Sequence, residues 1–248
     1  MIEVEHLSYH YGSYCAVDDI SFCLAQGEIV ALIGPNGAGK STTMKVLTTL
    51  LRPESGRVCV AGYEVGERPM EVRRRLGYLP ETNPLYEDML VYDALRSVAS
   101  QRGVEDGDGC VVEAAGLCGL CEVMHRPIET LSRGYRQRVG IAQAILHRPE
   151  VLILDEATTG LDPNQIMEIR DLIVEIGRER TVLMSTHILQ EVSAIANRVI
   201  VMNAGRIVAD GSLEKLLSEL GERLGRRATV EELFRATTLG LGVEGAKR

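Results

Sequence analysis

Gly34-Pro35-Asn36-Gly37-Ala38-Gly39-Lys40-Ser41 is the stretch that decides the fold of this 248-residue chain. It fits the pattern G-x-x-x-x-G-K-[ST], a glycine-rich loop whose backbone N–H groups surround phosphate oxygens. Residues 28–33 before it have the composition of a short buried strand, and residues 41–51 after it carry apolar side chains at helical spacing. Strand, glycine loop and helix form the context that this motif requires. The stretch therefore predicts a nucleoside triphosphate site, the alternative being a glycine-rich turn that matches by chance.

Two side chains at the end of this loop have defined tasks in such sites. A lysine at the position of Lys40 reaches the β- and γ-phosphates, and a hydroxyl at the position of Ser41 is a ligand of Mg²⁺. The helix that begins here adds the positive end of its dipole. We therefore expect ATP and Mg²⁺ as cofactors.

Composition and charge narrow the class of protein. Hydrophobic residues make up 45% of the chain and charged residues 25%, which is ordinary for a globular protein. The formal net charge is −8 and the clearest basic cluster is Arg73–Arg75, so no nucleic-acid partner is predicted. The apolar runs fall far short of the roughly 20 residues that span a bilayer, and the acidic start, residues 1–5, is unlike a signal peptide. We expect a cytoplasmic protein that reaches a membrane only through a partner.

The cysteines offer a second possible chemistry. Cys118-Gly119-Leu120-Cys121 is a C-x-x-C pair, with Cys110 before it and His125 after it. A zinc or redox site is the alternative interpretation, but the pair lies in an apolar helical pattern and no second C-x-x-C completes a tetrahedral set. Buried, reduced cysteines that act as small apolar side chains are the expectation.

The order of predicted elements indicates an α/β protein. Residues 2–10 and 15–24 alternate apolar and polar side chains, which predicts antiparallel strands. Beyond the glycine loop we predict strands over residues 57–61, 76–79, 151–154, 181–184, 199–202 and 207–209, and helices over 66–75, 163–177 and 189–196. We expect a P-loop NTPase core with a wrapped, mainly parallel sheet, an N-terminal antiparallel β flank and an inserted α-helical subdomain.

The same pattern suggests a division into domains. Alanine, leucine and valine at helical spacing dominate residues 84–147, whereas strands and helices alternate on both sides of this stretch. We predict an ATP-binding core of residues 1–82 and 148–215, a helical subdomain of residues 83–147 and a C-terminal helical tail of residues 216–248. The glycines near the end of the tail, Gly240, Gly242 and Gly245, are expected to let it fray.

A second phosphate motif follows the strand at residues 151–154. A P-loop ATPase needs an acid at a strand end to hold Mg²⁺, and Asp155 has that position. A neighbouring carboxylate can orient or deprotonate the attacking water, and Glu156 has that position. Side chains of adjacent strand residues point to opposite sides, but a turn at the strand end can bring both to one site. The two motifs together predict an ATPase, the alternative being an acidic pair on a surface loop.

The stretch Leu131-Ser132-Arg133-Gly134-Tyr135-Arg136-Gln137-Arg138 narrows the choice among P-loop proteins. It resembles the signature sequence of the ATP-binding cassette superfamily and lies between the two phosphate motifs, in the family's order. Alone, the match could be a helix N-cap by Ser132. Gly160-Leu161-Asp162 resembles the family's D-loop and His187 its switch histidine, and Tyr11 resembles the aromatic that stacks on adenine. The resemblance covers residues 2–210.

The resemblance implies roles for individual residues. Two cassettes would dimerise head to tail, with each ATP held between one subunit's glycine loop and the other's signature. Catalytic roles would belong to Lys40, Glu81, Glu156 and His187, and metal binding to Ser41, Glu81 and Asp155. ATP would contact Tyr11, Val17, Gly34, Pro35, Asn36, Gly37, Ala38, Gly39, Lys40, Ser41 and Thr42, while Leu131, Ser132, Arg133, Gly134 and Tyr135 would act in trans and Asp162 in the D-loop. Structural roles are the alternatives for Tyr11, as a core tyrosine in a strand turn, and for His187.

The chain departs from the commonest family pattern at three of these positions. Arg133 and Tyr135 replace a glycine and a glutamine, and Glu81 replaces a glutamine that touches the metal and the water. These variants resemble ATP-binding subunits of bacterial ABC-2-type exporters, which work with a separate transmembrane permease. The resemblance implies a cytoplasmic subunit, peripheral on the inner face of the membrane, that docks its permease near residues 81–95 and pairs with a second cassette, a homodimer being permitted. The rival hypotheses are a non-transport cassette ATPase acting on DNA or the ribosome, and a nucleotide-dependent interaction module without turnover.

Overall fold

The computed structural model describes residues 1–238, and within them the chain forms two β-sheets surrounded by helices. The predicted tail glycines Gly240, Gly242 and Gly245 lie outside the described residues. In chain order the elements are β1 (Ile2–Tyr11), β2 (Tyr14–Leu24), β3 (Ile29–Ile33), α1 (Lys40–Leu47), β4 (Ser55–Val60), β5 (Tyr63–Glu64), α2 (Pro69–Arg75), β6 (Leu76–Leu79), α3 (Val91–Arg102), α4 (Gly107–Leu117), α5 (Arg133–Ile145), β7 (Val151–Asp155), α6 (Pro163–Gly177), β8 (Thr181–Ser185), α7 (Leu189–Ile195), β9 (Arg198–Asn203), β10 (Arg206–Ser212), α8 (Leu213–Leu224) and α9 (Val230–Thr238).

The larger sheet has six strands within residues 1–238, in the order β10-β9-β3-β8-β7-β6. All neighbours pair in parallel except β10, which forms an antiparallel hairpin with β9. The central strands β3, β7 and β8 are buried along their whole length, because helices and the second sheet cover both faces. The expected α/β fold with a mainly parallel sheet is confirmed.

The N-terminal β flank is a separate antiparallel sheet with the strand order β2-β1-β4-β5. Side chains of β3 alternate between two cores. Ala31 and Ile33 pack in the core shared with the helices, whereas Val30 and Leu32 pack beneath the antiparallel sheet together with Met44 of α1. Burying a side chain such as Met44 contributes roughly 1.5–3 kcal/mol. The glycine loop is therefore held between two well-packed elements, β3 and α1.

The stretch with apolar residues at helical spacing, residues 84–147, contains three helices. Helices α3, α4 and α5 contact one another, and two short 3-10 turns, Cys121–Val123 and Ile128–Thr130, lie between α4 and α5. Their buried side chains continue into the core cluster that contains residues of β7 and β8. The stretch is thus packed against the edge of the sheet at which β6 and β7 lie.

One predicted boundary was wrong, and one strand was not predicted. Helix α1 ends at Leu47 rather than at residue 51, because Thr49 has a φ of 64° and the N–H groups of Leu50 and Leu51 return to the carbonyl of Lys45. Strand β5 was missed; it forms a hairpin with β4 through Ala61 and Gly62, which have φ angles of 49° and 79°. A Gly-containing two-residue turn with positive φ is a strong hairpin former.

All six cysteines lie within the described residues and are free thiols. Burial raises the pKa of Cys118 to about 12, whereas Cys121 is exposed. The two thiols of the C-x-x-C pair therefore occupy different environments.

No helix within residues 1–238 combines the length and apolar character that a membrane crossing requires.

Candidate functional site

A cavity of about 570 Å³ opens at the carboxyl edge of the parallel sheet. The glycine loop follows β3, Glu81 follows β6, Glu156 follows β7 and His187 follows β8. Because carboxyl ends of parallel strands meet at one edge, these segments converge there. The described residues that line the cavity are Tyr11, Tyr14, Ala16, Gly34, Pro35, Asn36, Gly37, Ala38, Gly39, Lys40, Ser41, Thr42, Glu81, Glu156, Thr159, Thr186, His187, Leu189 and Phe234.

Two glycines of the loop have no room for a side chain. Gly39 has a φ of 101°, and a Cβ atom there would lie 2.5 Å from the carbonyl oxygen of Ala16. A Cβ atom on Gly34 would collide with the carbonyl of Met202 in β9. The loop is thus pressed against both sheets, which leaves its exposed residues Pro35, Asn36 and Gly37 facing the cavity.

Gly39→Ala is expected to lower the free energy of unfolding by about 1–3 kcal/mol more than Gly37→Ala, the size of an overpacking penalty. Both glycines have positive φ, 101° and 78°, but a Cβ atom on Gly37 would meet only the Tyr14 hydroxyl, at 3.9 Å. The comparison therefore separates the collision with Ala16 from backbone strain. Urea denaturation of both variants without nucleotide measures the difference, and equal losses would contradict it.

Lys40 is almost fully buried at the start of α1, with 7% of its surface exposed. Its Nζ donates hydrogen bonds to the carbonyl oxygens of Gly34 at 2.7 Å and Pro35 at 3.2 Å. Burial lowers the pKa of Lys40, and the carboxylates of Glu156 and Asp155 oppose that shift. The ammonium group is thus folded onto its own loop within the field of the acids at the strand ends.

Asp155 ends strand β7, is buried, and is not among the described residues that line the cavity. The parallel register pairs it with Ser185 of β8, whose hydroxyl donates to Asp155 Oδ1 at 2.5 Å. Burial raises the pKa of Asp155, while the hydrogen bond from Ser185 lowers it. Sequence reasoning did not identify Ser185 as the partner of Asp155, because the contact depends on strand register.

Glu156 turns out of the strand into the cavity. Its φ of 54° is left-handed, and its N–H donates to the Ser185 hydroxyl at 3.0 Å. The carboxylate oxygen Oε2 accepts hydrogen bonds from His187 Nδ1 at 2.6 Å and from the hydroxyl of Thr159 at 2.9 Å. The expected turn at the strand end is therefore present, and it orients the two acids differently. A non-glycine residue with positive φ is often found where a site requires it.

Two tyrosines line the other end of the cavity. Tyr11 is 47% exposed, and its ring meets that of Tyr9 edge to face with centroids 5.1 Å apart. Tyr14, which sequence reasoning missed, donates from its hydroxyl to the carbonyl of Gly37 at 3.3 Å. Val17 is fully buried and is not among the described lining residues, whereas Ala16 is. The aromatic end of the cavity is thus built by the β1–β2 turn.

Other lining residues were also missed by sequence reasoning. Thr159 and Thr186 lie three residues after Glu156 and one before His187, so their proximity to a predicted residue was a usable signal. Leu189 begins α7. Phe234 comes from α9, which contacts α7 and β9, and nothing in the local sequence indicates its approach to a loop at the other end of the chain.

The signature stretch lies elsewhere on the surface. Ser132 caps α5 by accepting a hydrogen bond from Tyr135 N at 3.3 Å, as its sequence position indicated. Leu131 and Gly134 are buried, whereas Ser132, Arg133 and Tyr135 are exposed. The signature residues are not among the described residues that line the cavity.

The signature packs against the segment that resembles the D-loop. The guanidinium of Arg133 lies over Gly160, and the side chain of Gln165 lies over Gly134, where a Cβ atom would come within 2.8 Å of it. Asp162 caps α6 by accepting hydrogen bonds from the N–H groups of Asn164 and Gln165, each at 3.0 Å. The signature and Asp162 thus form a second polar surface beside, not inside, the cavity.

Comparison with known proteins gives concordant matches. Residues 17–159 match the family model described as ABC transporter. The lantibiotic transport ATP-binding protein SrtF of Streptococcus pyogenes is 36% identical over 225 residues, covering 88% of this chain and 96% of SrtF. The linearmycin resistance ATP-binding protein LnrL of Bacillus subtilis is 34% identical over 226 residues, covering 89% of this chain and 72% of LnrL. A solved structure described as the ATP binding subunit of an ABC transporter superposes with a TM-score of 0.83 at 32% identity, covering 94% of this chain and 98% of that one.

Proposed function

This chain belongs to the ABC transporter family as an ATP-binding, ATP-hydrolysing subunit, and we propose that it drives export through a separate membrane permease. The observation that supports ATP hydrolysis as the driving reaction is the convergence of Lys40, Glu156 and His187 on one cavity at the sheet edge. Relatives named for lantibiotic transport and for linearmycin resistance support export as the direction. The protein would then work on the inner face of the membrane.

Phosphate binding is assigned to the glycine loop and the beginning of α1. Backbone N–H groups and the helix N-terminus favour an anion there. Lys40 would exchange the carbonyls of Gly34 and Pro35, to which it donates now, for oxygens of the β- and γ-phosphates. The adenine would stack on Tyr11, with Tyr14 beside it, at the opposite end of the same cavity. Aromatic stacking on a base contributes roughly 1–3 kcal/mol.

Glu156 is assigned the role of general base, which orients or deprotonates the attacking water. His187 and Thr159 both contact Oε2 of this carboxylate, which restricts its rotation and leaves Oε1 for the water. His187 would also touch the γ-phosphate and stabilise charge that develops in the transition state. Holding base and phosphate in one geometry is itself a large part of the acceleration.

Mg²⁺ fits the oxygen donors at this edge. The ion is usually held by one or two carboxylates together with phosphate oxygens and waters, and the chain offers the hydroxyl of Ser41 and the carboxylates of Asp155 and Glu81. Burial of Asp155 favours its neutral form, so a cation nearby would favour the carboxylate. Bound there, the ion would neutralise charge on the phosphates. Glu81 lies exposed on the cavity wall, where a carboxylate replaces the family's usual glutamine.

The remaining contacts to ATP are assigned to the signature residues of a second cassette. Ser132, Arg133, Gly134 and Tyr135 begin α5 on a surface outside the chain's own cavity, and Asp162 caps α6 beside them. A helix N-terminus with free N–H groups suits a γ-phosphate presented by a partner. This arrangement supports a head-to-tail dimer in which Leu131 packs beneath the signature and the exposed residues face the partner's ATP.

The docking site for the permease is assigned to the helical side of the protein. We take residues 83–147 as the subdomain that docks it, residues 1–82 and 148–215 as the catalytic core, and residues 216–248 as the tail. The segment from Glu81 to Leu95 connects the cavity wall to α3 and exposes Tyr86, of which 71% is accessible. An exposed aromatic beside a catalytic segment is a suitable contact for a coupling element of another chain.

The nucleotide-dependent dimer tests the proposal. Purified Glu156→Gln with saturating ATP and Mg²⁺ is expected to elute at twice the monomer mass, since ATP is bound but not consumed. Ser132→Arg in the same background should bind ATP and stay monomeric, because the added side chain occupies the exposed signature surface. Light scattering on a sizing column reads the mass. A Glu156→Gln variant that binds ATP without dimerising would overturn the shared site.

A further inference from the structure

Glu191, the third residue of α7, is a fully buried carboxylate at 0% exposure that the proposed chemistry does not use. It accepts a hydrogen bond from the Thr186 hydroxyl at 2.7 Å on Oε2 and another from the Thr158 hydroxyl on Oε1. A buried carboxylate is costly unless both of its oxygens are satisfied, and hydrogen bonds to a charged acceptor are about twice as strong as neutral ones. These two contacts are therefore a strong structural constraint.

The two threonines are the chain neighbours of the two residues that hold Glu156. Thr158 precedes Thr159, and Thr186 precedes His187. Thr159 and His187 both contact Oε2 of Glu156, at 2.9 and 2.6 Å. One buried carboxylate, that of Glu191, therefore binds the chain neighbour of each of the two residues that orient the base.

Strand pairing alone does not hold these segments together. The ladder between β7 and β8 ends at the pair Asp155 and Ser185, and beyond it one segment continues to α6 and the other to α7. Thr186 is fixed further because its Oγ1 accepts the N–H of Ile188 at 3.0 Å. Glu191 therefore adds a buried connection between the two segments where the sheet no longer pairs them, beneath the exposed contact of His187 with Glu156.

We propose that Glu191 is a positioning residue for ATP hydrolysis: it connects the segment after β7 to the segment after β8 and so sets where Thr159 and His187 hold Glu156. The inference depends on the proposed role of Glu156 as general base. Glu191 contacts neither substrate nor water in this scheme, since it is buried and is not among the described residues that line the cavity. Its effect belongs to kcat rather than to nucleotide affinity.

Glu191→Gln is expected to lower kcat by roughly 10- to 100-fold, the effect of misplacing a catalytic group by about 1 Å, with ATP affinity within twofold of the parent. The amide keeps the shape of the side chain but has one acceptor oxygen, so it cannot accept from both threonines. Thr158→Val and Thr186→Val each remove one of the same contacts and should lower kcat in the same way. These two variants also test the inference if Glu191→Gln does not fold.

Thr181→Val is the matched control, since Thr181 is a fully buried threonine at the other end of β8. Its hydroxyl donates to the carbonyl of Ala25 at 3.2 Å and accepts from Gly27 N at 3.0 Å, so the substitution also removes buried hydrogen bonds, far from the cavity. It should lower the melting temperature and leave kcat within twofold. A comparable loss of kcat in Thr181→Val would mean that general destabilisation explains the result and would overturn the inference.

Double variants distinguish a connected unit from independent effects. Glu191→Gln combined with Thr186→Val should lower kcat no further than the more severe single variant, because residues that act as a unit are not additive. Three outcomes would contradict the inference. The kcat losses of the two single variants could multiply in the double variant, or folded Glu191→Gln could keep kcat within twofold of the parent. The third is a loss confined to ATP affinity. Glu156→Gln separates the two hypotheses: if it keeps turnover, the proposed base is wrong, whereas if it loses turnover and Glu191→Gln does not, only the role of Glu191 is wrong.

Discussion

Glu156→Gln is expected to lower kcat for ATP hydrolysis by about 10²- to 10⁴-fold, the usual contribution of a general base. The amide preserves the side-chain volume and one oxygen for the contacts from His187 and Thr159, but it cannot take a proton from water. ATP affinity should stay within a few fold, because in the proposed site the glycine loop and Lys40 hold the phosphates. Steady-state phosphate release and nucleotide binding by fluorescence measure the two quantities separately.

Glu150→Gln provides the control for this variant. Glu150 immediately precedes β7, at the opposite end of the strand from Glu156, and its carboxylate lies 3.3 Å from Arg75 Nε on the surface. A surface ion pair contributes about 0–1 kcal/mol, so kcat should not change. If Glu156→Gln and Glu150→Gln turn over ATP equally fast, the carboxylate of Glu156 is not the base, and His187 would be the next group to test.

Lys40→Met is expected to weaken ATP binding by roughly 100-fold. A unit charge about 4 Å from a phosphate contributes up to ~4 kcal/mol at an effective dielectric constant of 20, of which ~3 kcal/mol corresponds to that factor. Methionine has a similar length and suits the buried stem of Lys40, so the variant should fold, although it loses the hydrogen bonds to the carbonyls of Gly34 and Pro35. The rise in melting temperature that ATP causes in the parent should be nearly lost.

Lys45→Met is the matched control, because Lys45 lies on the exposed face of the same helix, α1. It removes the same charge from the chain without removing a group from the cavity. ATP should raise its melting temperature as in the parent. If Lys45→Met weakened ATP binding as much as Lys40→Met does, the net charge of α1, rather than the group inside the loop, would determine binding.

Most of the candidate site could be predicted because its motifs are local in the chain. The glycine loop needs β3 before it and α1 after it, and all three are contiguous in residues 28–51. Asp155 and Glu156 can be recognised in the sequence because they lie at the end of a buried strand. Boundaries were less predictable: apolar periodicity continued past the end of α1, because Leu51 still packs on the core although the backbone has left the helix.

Contacts between segments could not be predicted in the same way. Ser185 meets Asp155 because of the register between two parallel strands, and the single sequence carries no marker for register when both strands are apolar throughout. Nothing in the sequence marks Glu191, a glutamate at the start of a short helix, as buried. Its burial follows only from how α7 packs over the segments that carry Thr158 and Thr186.

The sequence by itself determined that this protein cradles phosphate, carries acids at a strand end and belongs with the ATP-binding cassettes, because each motif is a short run whose backbone and side chains act together. The tertiary structure alone decided how the acids differ. Asp155 is buried against Ser185, whereas Glu156 turns into the cavity and is held by Thr159 and His187. The reason is physical: side-chain positions at the end of a sheet depend on neighbouring strands, and those neighbours are distant in the chain.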